Sequence, residues 1–387
     1  MSRVFSTSLR CRLPVLLFVF QGLYAFFSLF QDIQLMLLVG LGLLLAFMKG
    51  YGVSAVAYNF LLSNFCMQWA LIVQGFIYHY HEGKIHLGLY NLLTAEFATV
   101  AVLISAGAIL GRTTSEWLIL SYFQAVDIGG SVTVHVFSCY FGLGASIALY
   151  RSGLQTGHPK ETPSYISDLL SLVGAIFLWV FWPSFVSVLV HPGDGQHRAV
   201  LHTWVALSAS VLTTFAISSL LEKKGKVSMG HLQNATLAGG VAIGTVADMA
   251  INPGGAFLLG ILSSLACILG FKYMTPFLAN KLRIQDQCGI HNLHGLPGII
   301  GAVAGIATIL LQALFQAVGL GVSVIISLVG GYLTGLLLKL PFLAQPPDQF
   351  CFDDELYFQI QKPLETLSVD QVDEDLQIFE VLMATSP

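Results

Sequence analysis

Eleven predominantly apolar runs, each long enough to approach the thickness of a bilayer, leave this chain few ways to fold. They fall at about 13–30, 33–48, 53–77, 88–111, 127–150, 167–190, 200–221, 235–253, 255–276, 292–315 and 317–342. A bilayer core holds no water to satisfy exposed backbone, so a crossing segment must be a helix or part of a closed barrel, and runs near 20 residues are of helical length. Charge is scarce: Asp, Glu, Lys and Arg make up 10% of the chain, against roughly 25% in soluble domains. The expected fold class is an all-α polytopic membrane protein, a bundle of 11–12 transmembrane helices.

The distribution of basic residues sets the topology. Segment 116–126 is short for a span, but counting it gives twelve passes with both termini on the cytoplasmic side. Of the 17 Lys and Arg residues, 15 then lie inside and only Lys84 and Arg198 outside. Omitting it inverts every later loop and puts 11 outside, against the strong cytoplasmic preference of basic loops. The two-pass solution is favoured, although the arm from Trp117 to Val126 is about half a membrane thick at roughly 1.5 Å per residue.

Within these runs one pattern occurs twice. Asp127-Ile-Gly-Gly-Ser-Val-Thr-Val-His135 and Asp286-Gln-Cys-Gly-Ile-His-Asn-Leu-His294 each place an aspartate eight residues before a histidine that enters an apolar helix. An ionisable group inside a span is costly and marks a pathway or a site by default. Two such units far apart in one chain indicate two inverted half-repeats facing a shared central pore. A single buried histidine is more often hydrogen-bonded structure than function, but the duplication moves the balance toward function. A pair of imidazoles can line a narrow pore for a small polar solute or relay a proton. Asp127 and Asp286 stand where helices start, so N-capping accounts for them; for Asp127, near the membrane edge, stabilising a cation or orienting pore backbone is the alternative. Asp248 is a third acid near a span end, with no evident partner. His79, His81, His86, His158, His191, His197 and His231 fall in expected loops. Paired glycines at 240/244, 301/305 and 331/335 put two small residues on one helix face, where a neighbour can approach.

Other chemistries are poorly supported. The six cysteines are scattered, with no CxxC pair, and no HExxH, GxSxG or phosphate-binding loop occurs, so no metal site, cofactor or enzymatic activity is expected. Bases at Arg3, Arg10 and Arg12 precede a first run without a small-residue cleavage site, which indicates a retained span. Residues 343–387 carry ten of the 21 acids and one base, Lys362. The expected division is a transmembrane domain over 1–342 and a largely disordered acidic cytoplasmic tail over 343–387. Nothing resembles a nucleic-acid-binding surface.

Several long strings carry a family resemblance: FQDIQLMLLVGLG, YGVSAVAYNFLL, DIGGSVTVHVFSCYFGL, FLWVFWPSF, HLQNATLAGGVAIGTVADMAINP and KLRIQDQCGIHNLHGLPGIIGA. They resemble the Rh glycoprotein branch of the ammonium transporter family. The resemblance implies a plasma-membrane trimer, homomeric or formed with related Rh subunits, in which each subunit has its own narrow pore through the lipid bilayer. It implies conduction of ammonia, recruited as ammonium and deprotonated on entry, with carbon dioxide a second candidate substrate. His135 and His294 match the family's pore histidines, Phe97 and Phe185 its stacked outer gate, and Asp127 its buried vestibule aspartate.

The chain also departs from the family pattern. Phe30 leads almost directly into Gln31-Asp32, where relatives have a long glycosylated loop, and the sequon at Asn234 falls on the expected cytoplasmic side. Phe123-Gln124-Ala125-Val126 runs straight into Asp127, where relatives have a full helix. Glu96 replaces an aspartate before one gate phenylalanine, and Val186 an asparagine after the other. Two further functions therefore stand beside the channel: a non-transporting subunit tying the membrane to a cytoskeletal partner through its tail, and a proton-coupled carrier of another small solute using Asp127.

Overall fold

The computed structural model describes residues 29–112, 127–155, 157–308, 313–341 and 345–358. The short arm at 116–126, most of the expected first span at 13–30 and the tail beyond 358 lie outside these residues. Eight helices among the described residues are long and apolar enough to cross a membrane. In chain order, α1 is Leu29–Phe47, α2 Gly52–Tyr78, α3 Leu89–Gly107, α4 Ser131–Ala148, α5 Tyr165–Ser187 and α6 Asp194–Leu221. Two short helices follow, α7 (Met229–Asn234) and α8 (Ala238–Ile243). Then come α9 (Pro253–Leu282), α10 (291–308) and α11 (Ala313–Leu338). Among the described residues the one sheet is a two-stranded hairpin, Tyr80–His81 against Lys84–Ile85, between α2 and α3.

Local chemistry sets several of these boundaries. Ser164 caps α5 by accepting the Ser167 N–H at 3.2 Å, and the Ser167 hydroxyl returns the bond to the Ser164 N–H. Asn252 caps α9 through the Gly255 N–H at 2.8 Å, with Pro253 at the first helical position, where its missing N–H is no loss. The run 235–253, expected as one full span, is instead broken: α7 ends just before it at Asn234, and within it α8 and a 3-10 turn to Val246 are short buried pieces. Gly239, Gly240 and Gly244 in that segment lie against Ala206, Trp182 and Gly129 respectively. Two of the seven expected loop histidines, His197 and His231, are helical. His197 is in the first turn of α6, and His231 is buried in α7 with its Nδ1 2.9 Å from the Ser218 hydroxyl.

The helices pack through small residues. Gly174 of α5 lies against the α1 backbone at Gly40 and Leu44, Gly260 of α9 against Ala206 of α6, and Gly301 of α10 against the Ala242 carbonyl of α8. On α11, Gly331 touches the Phe141 backbone of α4, and Gly335 faces Ala145 and Ala148. Gly301, Gly331 and Gly335 thus sit where helix backbones approach too closely for a side chain, whereas Gly240 lies against the Trp182 ring and Gly305 against the Thr245 side chain.

Residues 345–358 form a strap packed on one end of the bundle. Arg151 donates to the Pro346 carbonyl, Gln345, Asp348 and the Arg112 carbonyl. Lys160 pairs with Asp353, and Phe352 is buried, with its N–H on the Gly111 carbonyl at 3.0 Å. Asp354 accepts the N–H groups of Val53 and Ser54 at 3.0 and 2.7 Å, capping α2 from 300 residues away.

Two outcomes follow. Gly331→Leu forces a side chain into the α4 backbone and is expected to destabilise the bundle by about 3 kcal/mol, lowering its melting temperature in detergent, whereas Gly319→Leu, with open space around it, leaves it unchanged. Asp354→Ala removes a helix cap worth about 1–2 kcal/mol and is expected to speed limited proteolysis within 345–358.

Candidate functional site

The two Asp-His units meet at the centre of the bundle. Helices α4 and α10 cross in opposite directions: Ser131 lies against Gly298 and Gly301, Cys139 against Gly295, and Gly142 against Ile290. Their N-termini therefore lie at opposite ends of one contact, the arrangement expected of inverted half-repeats. A Cβ on Gly298 would fall 2.7 Å from the Ser131 carbonyl oxygen, so this crossing depends on glycine.

Each aspartate fixes the start of its own helix. The Asp127 carboxylate accepts the N–H groups of Val132 and Thr133 at 2.9 and 2.7 Å, and the hydroxyls of Thr133 and Thr245 at 2.9 and 2.7 Å. Asp286 accepts the N–H groups of Ile290 and His291 at 2.9 and 2.8 Å. Neither occupies the N-cap position itself: Gly130, with φ +72°, precedes α4, and each carboxylate reaches over a turn to satisfy the first free N–H groups. Burial pushes the Asp286 carboxyl up to about 6, opposed by its backbone hydrogen bonds and by the Arg112 guanidinium. It is therefore ionised at neutral pH, as its acceptor role requires. Ser131 adds a cross-tie, donating to the Val241 carbonyl at 2.6 Å and accepting the Thr245 N–H at 2.9 Å. Asp248 does not join the site; it is partly exposed, and its carbonyl accepts Arg198 Nε at 3.0 Å.

His135 and His294, thus placed, face each other with Nδ1 atoms 3.1 Å apart and ring planes 9° from parallel. That separation is a hydrogen bond, so one Nδ1 carries a proton and the other accepts it. His135 Nε2 is buried with no protein partner. Trp182 stacks on His135 at 5.9 Å, and Phe185 meets it edge-on at 6.5 Å. Phe185 in turn stacks on Phe97, with centroids 4.3 Å apart and planes 15° from parallel.

Below the phenylalanines lies a narrow apolar cavity of about 20 Å³, walled by Met36, Leu37, Val100, Leu178, Trp182 and both histidines. That is about the room one water-sized molecule needs. It adjoins a larger cavity of about 120 Å³, with Leu41, Leu44, Ile104, Leu293 and His294 lining both. The larger one extends to Asn234, Gln287 and Cys288. Gln287 bridges charges there, accepting from Arg112 Nη2 and donating to Glu161, both at 2.7 Å. The smaller cavity has room for one small molecule at a time, and an unpaired ion within such apolar walls costs several kcal/mol.

Of the six site residues expected from sequence, His135, His294, Phe97 and Phe185 converge on one column, and Asp127 and Asp286 anchor the two helices that carry the histidines. Trp182 was not singled out; its spacing of three residues before Phe185 puts both on one face of α5. Gln287 carried no sequence signal, because its two partners come from distant loops.

Comparison with known proteins gives the chain's family. The ammonium transporter family model matches residues 21–357. The chain is 45% identical to the mouse ammonium transporter Rh type A, over 88% of its own length and 82% of that protein's. It is 42% identical to the dog ammonium transporter Rh type C, over 87% and 84%. Among solved structures it is similar to Rh50 of Nitrosomonas europaea, described as belonging to the Rhesus protein family of channels, with a TM-score of 0.78 and 32% identity, covering 92% of this chain and 97% of that one. It shares its fold with Saccharomyces cerevisiae Mep2 at a TM-score of 0.68 and 16% identity, covering 86% and 92%. The chain is a multi-pass membrane protein of the ammonium transporter family, on its Rh branch.

Proposed function

We propose that this protein is a channel for ammonia, and that its path runs between Phe97 and Phe185, past His135 and His294, and out through the cavity at Gln287. The hydrogen-bonded histidine pair inside an otherwise apolar file is the observation that supports this most. A neutral amine can both donate to and accept from such a pair, so it replaces part of the hydration it loses. Ammonium carries a charge that nothing along the file offsets, so it sheds a proton before entry. Phe97 and Phe185 act as an outer constriction, and Asp127 and Asp286 hold the pore helices. Carbon dioxide, small and uncharged, meets the same size limit but makes weaker use of the imidazoles.

The protein works in the plasma membrane with both termini cytoplasmic, the side favoured by its basic loops. It assembles as a trimer, with itself or with related Rh subunits, and its acidic C-terminal segment offers a contact to a cytoskeletal partner. These features follow the family resemblance and the charge distribution.

The test is ammonia uptake into proteoliposomes, followed by stopped-flow measurement of internal pH with membrane current recorded in parallel. The expected rate exceeds that of protein-free vesicles by about tenfold, equivalent to about 1.4 kcal/mol of barrier, without current that scales with uptake. Equal rates with well-folded protein contradict the channel. A current proportional to uptake contradicts neutral conduction and favours a proton-coupled carrier.

A further inference from the structure

The residue immediately before each gate phenylalanine is tied to the same short stretch of α1. Gln34 Nε2 donates to the Glu96 carboxyl, next to Phe97, and the Ser184 hydroxyl, next to Phe185, donates to Asp32 at 2.7 Å. Asp32 and Gln34 are two residues apart on a helix, so their side chains diverge by about 200°. The outer turn of α1 therefore reaches α3 on one side and α5 on the other. Glu96 is fully buried, and its second carboxyl oxygen has no hydrogen-bond partner. The Gln34 amide is thus the contact that orients this acid, and a buried acid inside a span is a costly way to make an ordinary packing contact.

We propose that α1 sets the gate: Gln34 and Asp32 hold Glu96 and Ser184 so that Phe97 and Phe185 keep their close, near-parallel stack. This rests on Phe97 and Phe185 being the outer constriction proposed above. Gln34, Glu96, Asp32 and Ser184 are positioning residues that act on the solute through the two rings. Their function is size selection. With the brace in place the rings part only far enough for the smallest amine, and without it the stack loosens and larger amines pass more readily.

The experiment compares native protein with Glu96→Ala, Gln34→Ala and Glu96→Gln in proteoliposomes, measuring permeability to ammonia and to methylamine. Glu96→Ala and Gln34→Ala are expected to raise the methylamine-to-ammonia ratio about fivefold, the effect of losing one modest interaction. Glu96→Gln still accepts from Gln34 and is expected to keep the native ratio, which a general loss of stability does not explain. In a Phe97→Ala background, Glu96→Ala is expected to add nothing, because its effect passes through that ring. An unchanged ratio in both alanine variants, or a full additional effect in the Phe97→Ala background, overturns the proposal. A structure of Glu96→Ala supplies a readout independent of transport: the proposal requires the rings to depart from their 4.3 Å, 15° stack, and an intact stack overturns it. If native protein carries no ammonia above protein-free vesicles, the channel assignment fails, and the ring geometry alone decides whether α1 braces the stack.

Discussion

The antiparallel contact between α4 and α10 is the constraint on which the site depends. Glycine at 295 and 298 lets the two backbones approach until His135 and His294 share a proton across 3.1 Å. Each helix begins at the opposite end of that contact, and each start is fixed by an aspartate satisfying N–H groups that would otherwise be bare in a low-dielectric interior. Asp127 is further tied to Thr245, and Ser131 to Val241, so the broken α7–α8 segment holds the first unit in place. Adding a side chain at the crossing would push the two helices apart and separate the imidazoles.

The same economy of charge shapes the conduction path. Its walls are mostly Leu, Ile, Val, Met and aromatic rings, and the polar groups that line it belong to one histidine pair, Trp182, Ser171, Cys288 and the amides of Gln233, Asn234 and Gln287. Among the described residues no Asp, Glu, Lys or Arg lines either cavity: Arg112 and Glu161 reach the larger one only through Gln287, and Asp127 and Asp286 are engaged at the helix starts. A file built this way discriminates by refusing to replace the hydration of an ion. The strap over 345–358 packs on one end of the bundle, joining Gly50, Gly111, Arg151 and Lys160 into one layer. This end of the bundle and residues 345–358 are therefore mechanically connected.

Much of this was legible in the sequence. Long apolar runs with basic loops specify helices in a bilayer, and the duplicated Asp-x7-His unit points to two facing half-repeats because each histidine enters a span. Paired glycines mark helix contacts because a missing side chain has few other uses on an apolar face. What was not legible depends on long-range contacts. Phe97 is one of 27 phenylalanines, and nothing local distinguishes it until it lies on Phe185. Glu96 and Gln34 are 62 positions apart, and no periodicity links them. His231 looked like a loop residue because α7 is only six residues long, too short to show an amphipathic pattern. Asp354 lies in an acid-rich segment that reads as solvated, yet it caps α2.

The central claim is that the shared imidazole pair is the polar foothold of an otherwise dry path. Its most direct test is the ammonia permeability of proteoliposomes carrying His135→Ala together with His294→Ala, compared with native protein at equal density and confirmed folding. The account predicts a fall of about tenfold, close to the loss of one net hydrogen bond in the path. Permeability equal to the native value would contradict it, and would mean that the apolar file alone carries the solute.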